Sequence, residues 1–322
     1  MLPLHVLSDI VGAVRAARGT EKDFSEFTVE VNPDDIVSGG LRYAESLSAL
    51  GVDRISMGVQ SFDDRILKWM NRRHDAAEAV EAYRILRQAG IENISVDLIF
   101  GLPMMDDRQW DGMLDRTLDL PGGRPEHISA YQLSIEDGSA LASIAAAGRY
   151  EEASDEVCSR QYDILCSRLA EAGYHHYEVS NFALPGREAV HNSAYWTGCP
   201  YLGLGPGAHS YRTDGGKHIR SRNLPSVEKY IAVLSSSGQT GSGLETVREY
   251  ETLTADQVAL EKIMLAMRTD RGLPEEELTA AGDSSGIARM MNAGYLIRLP
   301  DGRVRIPESR FFISDSIIAA IS

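Results

Sequence analysis

The alternation of short β-branched runs with longer amphipathic stretches, over about the first 182 residues, constrains the fold of this chain most. The runs rich in Val and Ile predict strands, and the stretches between them have the spacing of one-sided helices. Such alternation is typical of βα units around a parallel sheet. Five strands are predicted, at residues 27–31, 54–59, 94–100, 128–133 and 176–182. We therefore expect an α/β fold.

The predicted helices also bear on the edges of this sheet. They cover residues 4–17, 38–50, 64–70, 76–89, 107–118 and 154–172. Gly51, Gly90 and Gly173 follow three of them at the position where left-handed backbone often ends a helix. The chain opens on a helix, whereas a helix of a parallel sheet normally follows a strand. We therefore expect an edge strand upstream of Met1 and an open sheet with one unpaired edge.

The pattern changes after residue 182. Residues 183–245 are rich in Gly, His, Tyr and Asn, and predict loops, short strands, one helix at 226–234 and a polar linker. Residues 246–322 predict three helices followed by a hairpin around Asp301-Gly302, which is typical of a winged-helix-like module. The predicted organisation is thus a βα domain (1–182), an extension (183–245) and a small C-terminal helical domain (246–322).

The amino-acid composition limits the kinds of partner that we expect this chain to bind. The 32 Lys and Arg against 47 Asp and Glu give a formal charge of −15. A negative surface argues against a nucleic-acid partner, and we expect the winged-helix-like module to be a structural cap. No apolar run reaches the ~20 residues of a membrane span. Three cysteines without a framework spacing, and no signal peptide, favour a reducing cytoplasm.

Polar residues stand at or near the ends of three successive predicted strands. Glu30 and Gln60 each end a strand, and Asp97 lies inside the apolar run 96–100. In βα barrels, the groups that handle ligands come from the carboxyl ends of the strands. Each residue alone is equally consistent with helix capping, but a carboxylate in an apolar run needs a partner. Arg72, beyond the second strand, is either a carboxylate clamp or solvated surface.

Seven sequence blocks occur in one order along the chain: EVNP, DRISMGVQSFDD, NRRHD, VDLIFGLP, HISAYQLSIEDG, YEVSNFA and YLGLGPGAHS. With these blocks the sequence resembles the oxygen-independent coproporphyrinogen III oxidase-like radical-SAM family. The resemblance covers most of the chain. It implies a partial, open TIM-like βα barrel with a winged-helix-like C-terminal domain. It also implies S-adenosylmethionine and a [4Fe–4S] cluster as cofactors.

The resemblance assigns roles to individual positions. Gln60 and Asp97 would hold the ribose hydroxyls of S-adenosylmethionine, and Glu30 and Arg72 would face its methionine end. The backbone of 131–134 would flank the adenosine. The implied contacts with S-adenosylmethionine are Glu30, Gln60, Arg72, Asp97, Tyr131 and Ser134.

The block HNSAYW, residues 191–196, resembles the HemW-type subgroup, which binds haem and is thought to pass it to respiratory proteins. The resemblance makes His191 a candidate ligand of haem iron, with Tyr195 and Trp196 packing on the porphyrin. The alternative is a His191 hydrogen-bonded under a loop, with the two aromatic residues as core anchors. His209 is a second candidate, although the glycines around it point first to close backbone packing.

The family holds its cluster with a CxxxCxxC loop, and this chain has no such sequence. Cys158 and Cys166 lie eight residues, ~12 Å, apart on one predicted helix. Cys199 follows HNSAYW. We expect all three to be buried or incidental thiols away from the strand ends, leaving no site for the cluster and no radical chemistry in the chain as given. Both a truncated start and a naturally cluster-less relative are consistent with this.

Three functions therefore stay open. The first is a HemW-like protein that binds haem, with a haem-accepting respiratory protein as partner. The second is an oxygen-independent coproporphyrinogen III oxidase of porphyrin biosynthesis. The third is a cluster-free module that binds a nucleoside or an anion at the barrel mouth. HNSAYW favours the first, and the sequence assigns no catalytic residue.

Overall fold

The structure is a computed structural model that describes residues 2–19, 24–135, 140–148, 150–236 and 244–322. Its contacts divide the chain into two compact units, residues 1–190 and 191–322. Each unit has its own sheet and its own buried residues, and each is described by itself below.

The first unit alternates helices and strands as the sequence predicts. Its helices are α1 (Leu4–Arg18), α2 (Pro33–Ala49), α3 (Asp64–Trp69), α4 (Ala76–Gln88), α5 (Asp107–Leu118), α6 (Ala140–Ala146) and α7 (Asp155–Glu171). Its strands are β1 (Thr28–Val31), β2 (Arg54–Gln60), β3 (Asn93–Phe100), β4 (His127–Gln132), β5 (His175–Glu178) and β6 (Asn181–Ala183). A further helix, α8 (Val190–Trp196), starts at the boundary between the units.

Local sequence signals explain several of these boundaries. Helix α4 begins with a capping box, in which the Asp75 carboxylate accepts from the Glu78 amide at 2.8 Å and the Glu78 carboxylate accepts from the Asp75 amide at 3.1 Å. Such a cap satisfies amides that have no partner within the helix. The helix ends before Gly90, whose φ of +80° is accessible to glycine at little cost.

The sheet of the first unit is open and runs in the order β1-β2-β3-β4-β6-β5. Strands β1 to β4 are parallel. The prediction of a fifth parallel strand at 176–182 was wrong, because this segment is part of a tight hairpin whose second strand, β6, pairs antiparallel with β4. The turn falls at Val179 and Ser180, where the Ser180 amide donates to the Glu178 carboxylate at 3.3 Å.

The two faces of the sheet differ sharply in polarity. On one face of β2 to β4 the side chains are apolar and almost completely buried: Ile55, Met57, Val59, Ile94, Val96, Leu98, Ile128 and Ala130. Helices α2 and α7 contact β2 and β3, and each large apolar side chain so buried contributes about 1.5–3 kcal/mol to stability. The alternate positions form what we call the polar face: Arg54, Ser56, Gly58, Asn93, Ser95, Asp97, His127, Ser129 and Tyr131.

The second unit contains two three-stranded sheets. An antiparallel meander is formed by β7 (His209–Asp214), β8 (Lys217–Asn223) and β9 (Arg248–Leu253), and helix α9 spans Val227–Ser236. The winged-helix-like module contains α10 (Ala255–Ala266), β10 (Leu273–Pro274), α11 (Glu275–Ala281), α12 (Ser284–Asn292), β11 (Ile297–Arg298) and β12 (Arg303–Arg305), and is followed by α13 (Ser314–Ala319). Among the described residues of both units, no helix combines the length and apolar content of a membrane span.

The cationic side chains around the wing are engaged within the module. Arg298 forms an ion pair with Glu275, and Arg305 forms one with Glu308. Arg303 donates to the carbonyl of Gly272 at 2.6 Å. These contacts are those of a wing that stabilises its own module.

Candidate functional site

Asp97 is the centre of a hydrogen-bond cluster on the polar face. The Ser56 hydroxyl donates to both oxygens of its carboxylate, each at 3.1 Å, and the Ser95 hydroxyl lies 3.3 Å from Oδ1. Burial raises the pKa of Asp97 to about 6, although bonds from Ser129 and Ser56 and the charge of Arg54 act in the opposite direction. The carboxylate thus has the partners that its place in an apolar run demands, and it is still largely ionised at pH 7.

The cluster continues away from Asp97 through a buried histidine. His127 Nδ1 lies 2.8 Å from the Ser95 hydroxyl, and its Nε2 lies 2.8 Å from the hydroxyl of Tyr177. Burial, with the nearby charge of Arg54, holds the pKa of His127 well below its usual value. The imidazole is therefore neutral at pH 7, and its hydrogen bonds link Ser95 with Tyr177 without adding a charge.

Arg72 connects the carboxyl ends of β1 and β2. Its guanidinium donates to the Asn32 Oδ1 at 3.0 Å and to the Gly58 carbonyl at 2.8 Å. Asn71, just before it, has a φ of +56°, a left-handed conformation that Asn adopts more readily than most residues. Burial lowers the pKa of Arg72, because the side chain is partly removed from water. His74 lies 3.1 Å from the Val59 carbonyl, so the NRRHD segment is fixed to the end of β2.

Gly58 leaves the space in which two of the predicted site residues meet. A Cβ atom placed on Gly58 would lie 2.8 Å from Gln60 Nε2 and 3.0 Å from Arg72 Nη2. Gln60 has a φ of +65°, at an irregularity between Gly58 and Gln60 in the pairing of β2 with β3. Left-handed backbone in a non-glycine residue costs about 1–2 kcal/mol and is typical of functional sites.

The other predicted contacts lie on or beside the same face. Glu30, on the edge strand β1, is the register partner of Ser56 and is exposed. Tyr131 is 46% exposed near the end of β4, and burial of its hydroxyl end together with the charge of Asp97 raises its pKa. Ser134 is exposed, two residues beyond the end of β4. The structure therefore places Glu30, Gln60, Asp97 and Tyr131 along one face, with Arg72 at its rim and Ser134 just beyond it.

Sequence reasoning missed most of the polar face. It took the strand ends as the only source of ligand-handling groups, and so overlooked Arg54, Ser56, Ser95 and His127 within the strands. The signal was present in the sequence, because each of these buried strands carries a small or polar residue at every second position. Asn32 and His74 could not have been recognised in this way, since loop geometry alone brings them to β2.

The cysteines do not provide a site for an iron–sulfur cluster. The expectation that none lies near a strand end was wrong for Cys158, whose Sγ would be 2.9 Å from a Cβ on Gly101, directly after β3. The contact arises because Gln161, on the same helix, accepts from the Gly101 amide at 2.8 Å. Burial raises the pKa of Cys158, which disfavours a thiolate. Cys166 contacts the His176 imidazole at 3.8 Å, and Cys199 is exposed in the second unit.

Three thiolates close together are needed to hold such a cluster. Within residues 2–19, 24–135, 140–148, 150–236 and 244–322, no three His, Cys, Asp or Glu side chains converge as metal ligands. The residues present in this part of the chain do not fit the cluster.

The HNSAYW segment forms helix α8 and presents an aromatic surface. His191 is exposed, and its Nε2 lies 3.0 Å from the Tyr195 hydroxyl. The Tyr195 ring, 40% exposed, packs edge-on against Tyr201 with centroids 4.7 Å apart. The alternative in which Tyr195 is a core anchor was therefore wrong. The indole Nε1 of Trp196 is buried and makes no hydrogen bond among the described residues.

His209, the second candidate for haem, is exposed at the start of β7. The close backbone packing expected around it is confirmed, because a Cβ on Gly203 would lie 2.1 Å from the His209 carbonyl oxygen. This strand has to approach the glycine loop closely, and only glycine allows it.

Comparison with known proteins shows the family to which this chain belongs. Residues 6–117 match the model of the radical SAM superfamily. The chain is 32% identical over 270 residues to the haem chaperone HemW of Bacillus subtilis, an alignment of 84% of this chain and 67% of that protein. The chain belongs to the HemN- and HemW-like radical-SAM family. It is also 32% identical over 315 residues to the mitochondrial radical S-adenosyl methionine domain-containing protein 1 of Danio rerio, covering 93% and 68% of the two chains.

Comparison with a solved structure shows that the similarity of this HemW-like chain includes its fold. Coproporphyrinogen III oxidase (HemN) of Escherichia coli superposes with a TM-score of 0.76, at 19% identity, over 99% of this chain and 74% of that one. The likeness confirms the open TIM-like α/β architecture. The chain spans about two thirds of the length of the curated relatives it matches.

Proposed function

We propose that this HemW-like chain binds the nucleoside part of S-adenosylmethionine on the polar face and binds haem through helix α8. The observation that carries the first half is the Asp97 carboxylate, held by serine hydroxyls and still ionised at pH 7. A carboxylate fixed in this way, at the carboxyl side of a parallel sheet, is the group that accepts from a pair of sugar hydroxyls.

The surrounding groups suit the rest of the ligand. The Gln60 amide adds one donor and one acceptor beside Asp97, above the space left by Gly58. Arg72 carries the positive charge that a ligand carboxylate needs, and Glu30 carries the negative charge that an ammonium group needs. S-adenosylmethionine carries the matching ligand groups in one molecule: the ribose hydroxyls, a carboxylate and an ammonium group.

The missing cluster ligands limit what such binding can achieve. In radical-SAM proteins the cluster supplies the electron that cleaves the sulfonium bond. The cysteines described above do not converge, so the proposal for this chain stops at binding.

S-adenosylmethionine should bind more tightly than adenosine, because Arg72 and Glu30 add contacts with its carboxylate and ammonium groups to those of the nucleoside. Asp97→Asn should weaken both by about tenfold or more, since a hydrogen bond to a charged group contributes ~1.5–3 kcal/mol. Isothermal titration of the purified chain measures this. The matched control is Asp107→Asn, which removes a carboxylate paired with Arg160 on the surface and should leave the affinity unchanged. Equal affinities in wild type and Asp97→Asn would contradict the nucleoside site.

The haem half of the proposal rests on the composition and exposure of helix α8. His191 offers an accessible imidazole, and Tyr195 with Tyr201 offers an aromatic surface of the kind that packs on a porphyrin. His191 Nε2 lies 3.0 Å from the Tyr195 hydroxyl, which an iron ion would displace.

Haem added to the chain should give a shifted Soret band that is lost in His191→Ala. His209→Ala is the matched control, because it removes another exposed histidine of the same unit and should keep the shift. Tyr195→Phe should bind haem at least as tightly as wild type, because it removes the hydroxyl that competes for Nε2. A Soret shift that survives in His191→Ala would reject His191 as the ligand.

The two other functions give different results in the same experiments. Decarboxylation of coproporphyrinogen III would favour the oxidase. Nucleoside binding without any haem shift would favour the cluster-free binding module, for which the dispersed cysteines are the supporting observation.

A further inference from the structure

At the start of strands β1, β2 and β3, a row of three residues contains three buried polar atoms that have no hydrogen-bond partner among the described residues. They are Thr28 Oγ1, Arg54 Nε and Asn93 Oδ1. The three residues are direct register partners on β1, β2 and β3, so their side chains stand side by side at the ~5 Å spacing of adjacent strands. Buried polar atoms are nearly always satisfied in folded proteins, and three orphans in one row indicate a missing partner.

Arg54 makes the row unusual. The residue is only 5% exposed, yet its buried Nε makes no hydrogen bond with any described residue. Arg87 provides the comparison within the same unit: it is partly buried, and it pairs with Glu126 at 2.9 Å and donates to the Glu92 carbonyl at 2.7 Å. Buried charges are normally paired, because an unpaired one loses its hydration without compensation.

No hydrogen bond joins the Arg54 Nε to the titratable groups nearest to it. The charge of Arg54 lowers the pKa of both Asp97 and His127, but Asp97 accepts its hydrogen bonds from Ser56 and Ser95, and His127 is neutral. The row is also reachable, because Thr28 lies on the edge strand and both Thr28 and Asn93 are partly exposed.

We propose that Thr28, Arg54 and Asn93 form a binding site for a small hydroxycarboxylate. Arg54 offers the planar fork of donors that matches a carboxylate. The Thr28 hydroxyl donates to a carboxylate oxygen, and the Asn93 carbonyl accepts from a hydroxyl next to the carboxylate. This site shares no residue with the proposed nucleoside contacts Asp97 and Gln60, and none with helix α8.

Lactate and propionate are the probes, because they differ only by the hydroxyl that Asn93 would accept. In a thermal unfolding experiment at constant ionic strength, we expect saturating lactate to raise the melting temperature of the chain by about 2–4 °C. Propionate should have a smaller effect and sodium chloride none. Asn93→Leu should make lactate and propionate equivalent.

Arg54→Met tests the charge, with Arg87→Met as the matched control. We expect Arg54→Met to lose the lactate effect, because it removes the guanidinium that would hold the carboxylate. Arg87→Met should lower the melting temperature but keep the lactate effect. If Arg54→Met does not fold, Arg54→Gln keeps an uncharged polar group on the side chain and should also lose the lactate effect. A lactate effect that persists without Arg54, or that is absent from wild type, would overturn the proposal.

Discussion

Reconstitution of the 322-residue chain with iron, sulfide and dithionite is expected to yield no 5′-deoxyadenosine from S-adenosylmethionine. The reason is the distribution of its thiols. Cys158 is buried under β3, Cys166 lies against His176, and Cys199 is exposed in the other unit. Without three converging thiolates there is no cluster to deliver the electron. Chromatography of the quenched reaction measures the product.

The control for this experiment is the chain with all three cysteines replaced, Cys158→Ala with Cys166→Ala and Cys199→Ala. Any iron that binds loosely should bind equally to this variant and to the wild type. Formation of 5′-deoxyadenosine by the wild type but not by the triple variant would show that the cysteines do assemble a cluster, and the expectation would fail.

The second large effect concerns the stability of the first unit as a function of pH. The pKa of Asp97 is raised from 3.8 to about 6 on folding, so the folded state binds a proton more tightly than the unfolded state. Stability contributed by this group is therefore greatest below about pH 4 and is lost as the pH rises through 6. The asparagine in Asp97→Asn cannot ionise, so the free energy of unfolding of this variant does not fall for that reason as the pH rises. From pH 4 to pH 7.5, the free energy of unfolding of Asp97→Asn minus that of wild type should therefore increase by about 1–3 kcal/mol.

Urea unfolding at pH 4 and pH 7.5 measures this difference, and Asp63→Asn is the control whose effect should not change between these two pH values. A hydrogen bond from Arg65 lowers the pKa of Asp63, which also caps helix α3. Its contribution is present above the usual pKa of 3.8 and is lost only at lower pH, so the destabilisation by Asp63→Asn should be similar at pH 7.5 and pH 4. A stability difference for Asp97→Asn that does not change with pH would show that Asp97 ionises normally.

The site could be predicted only in part, for reasons visible in particular residues. Gln60 and Asp97 were found because they stand at or near strand ends, and parallel strands bring their carboxyl ends together. Arg54 was taken as an ordinary strand start, because a single arginine in a sequence does not reveal whether an acidic partner is near. The hairpin at β5 and β6 was read as one strand, since a two-residue turn at Val179-Ser180 leaves no Gly or Pro signal.

The sequence by itself determined the βα order, the helix caps and the alternation of apolar and polar positions along β2 to β4. These features follow from the period of the backbone and from contacts between residues close in the chain, so the local sequence is enough to determine them. Tertiary structure decided the antiparallel end of the sheet, the position of Cys158 beneath β3 and the burial of the Arg54 Nε without a hydrogen bond. Each of these depends on the register between strands and on contacts between residues far apart in the chain, which no local pattern contains.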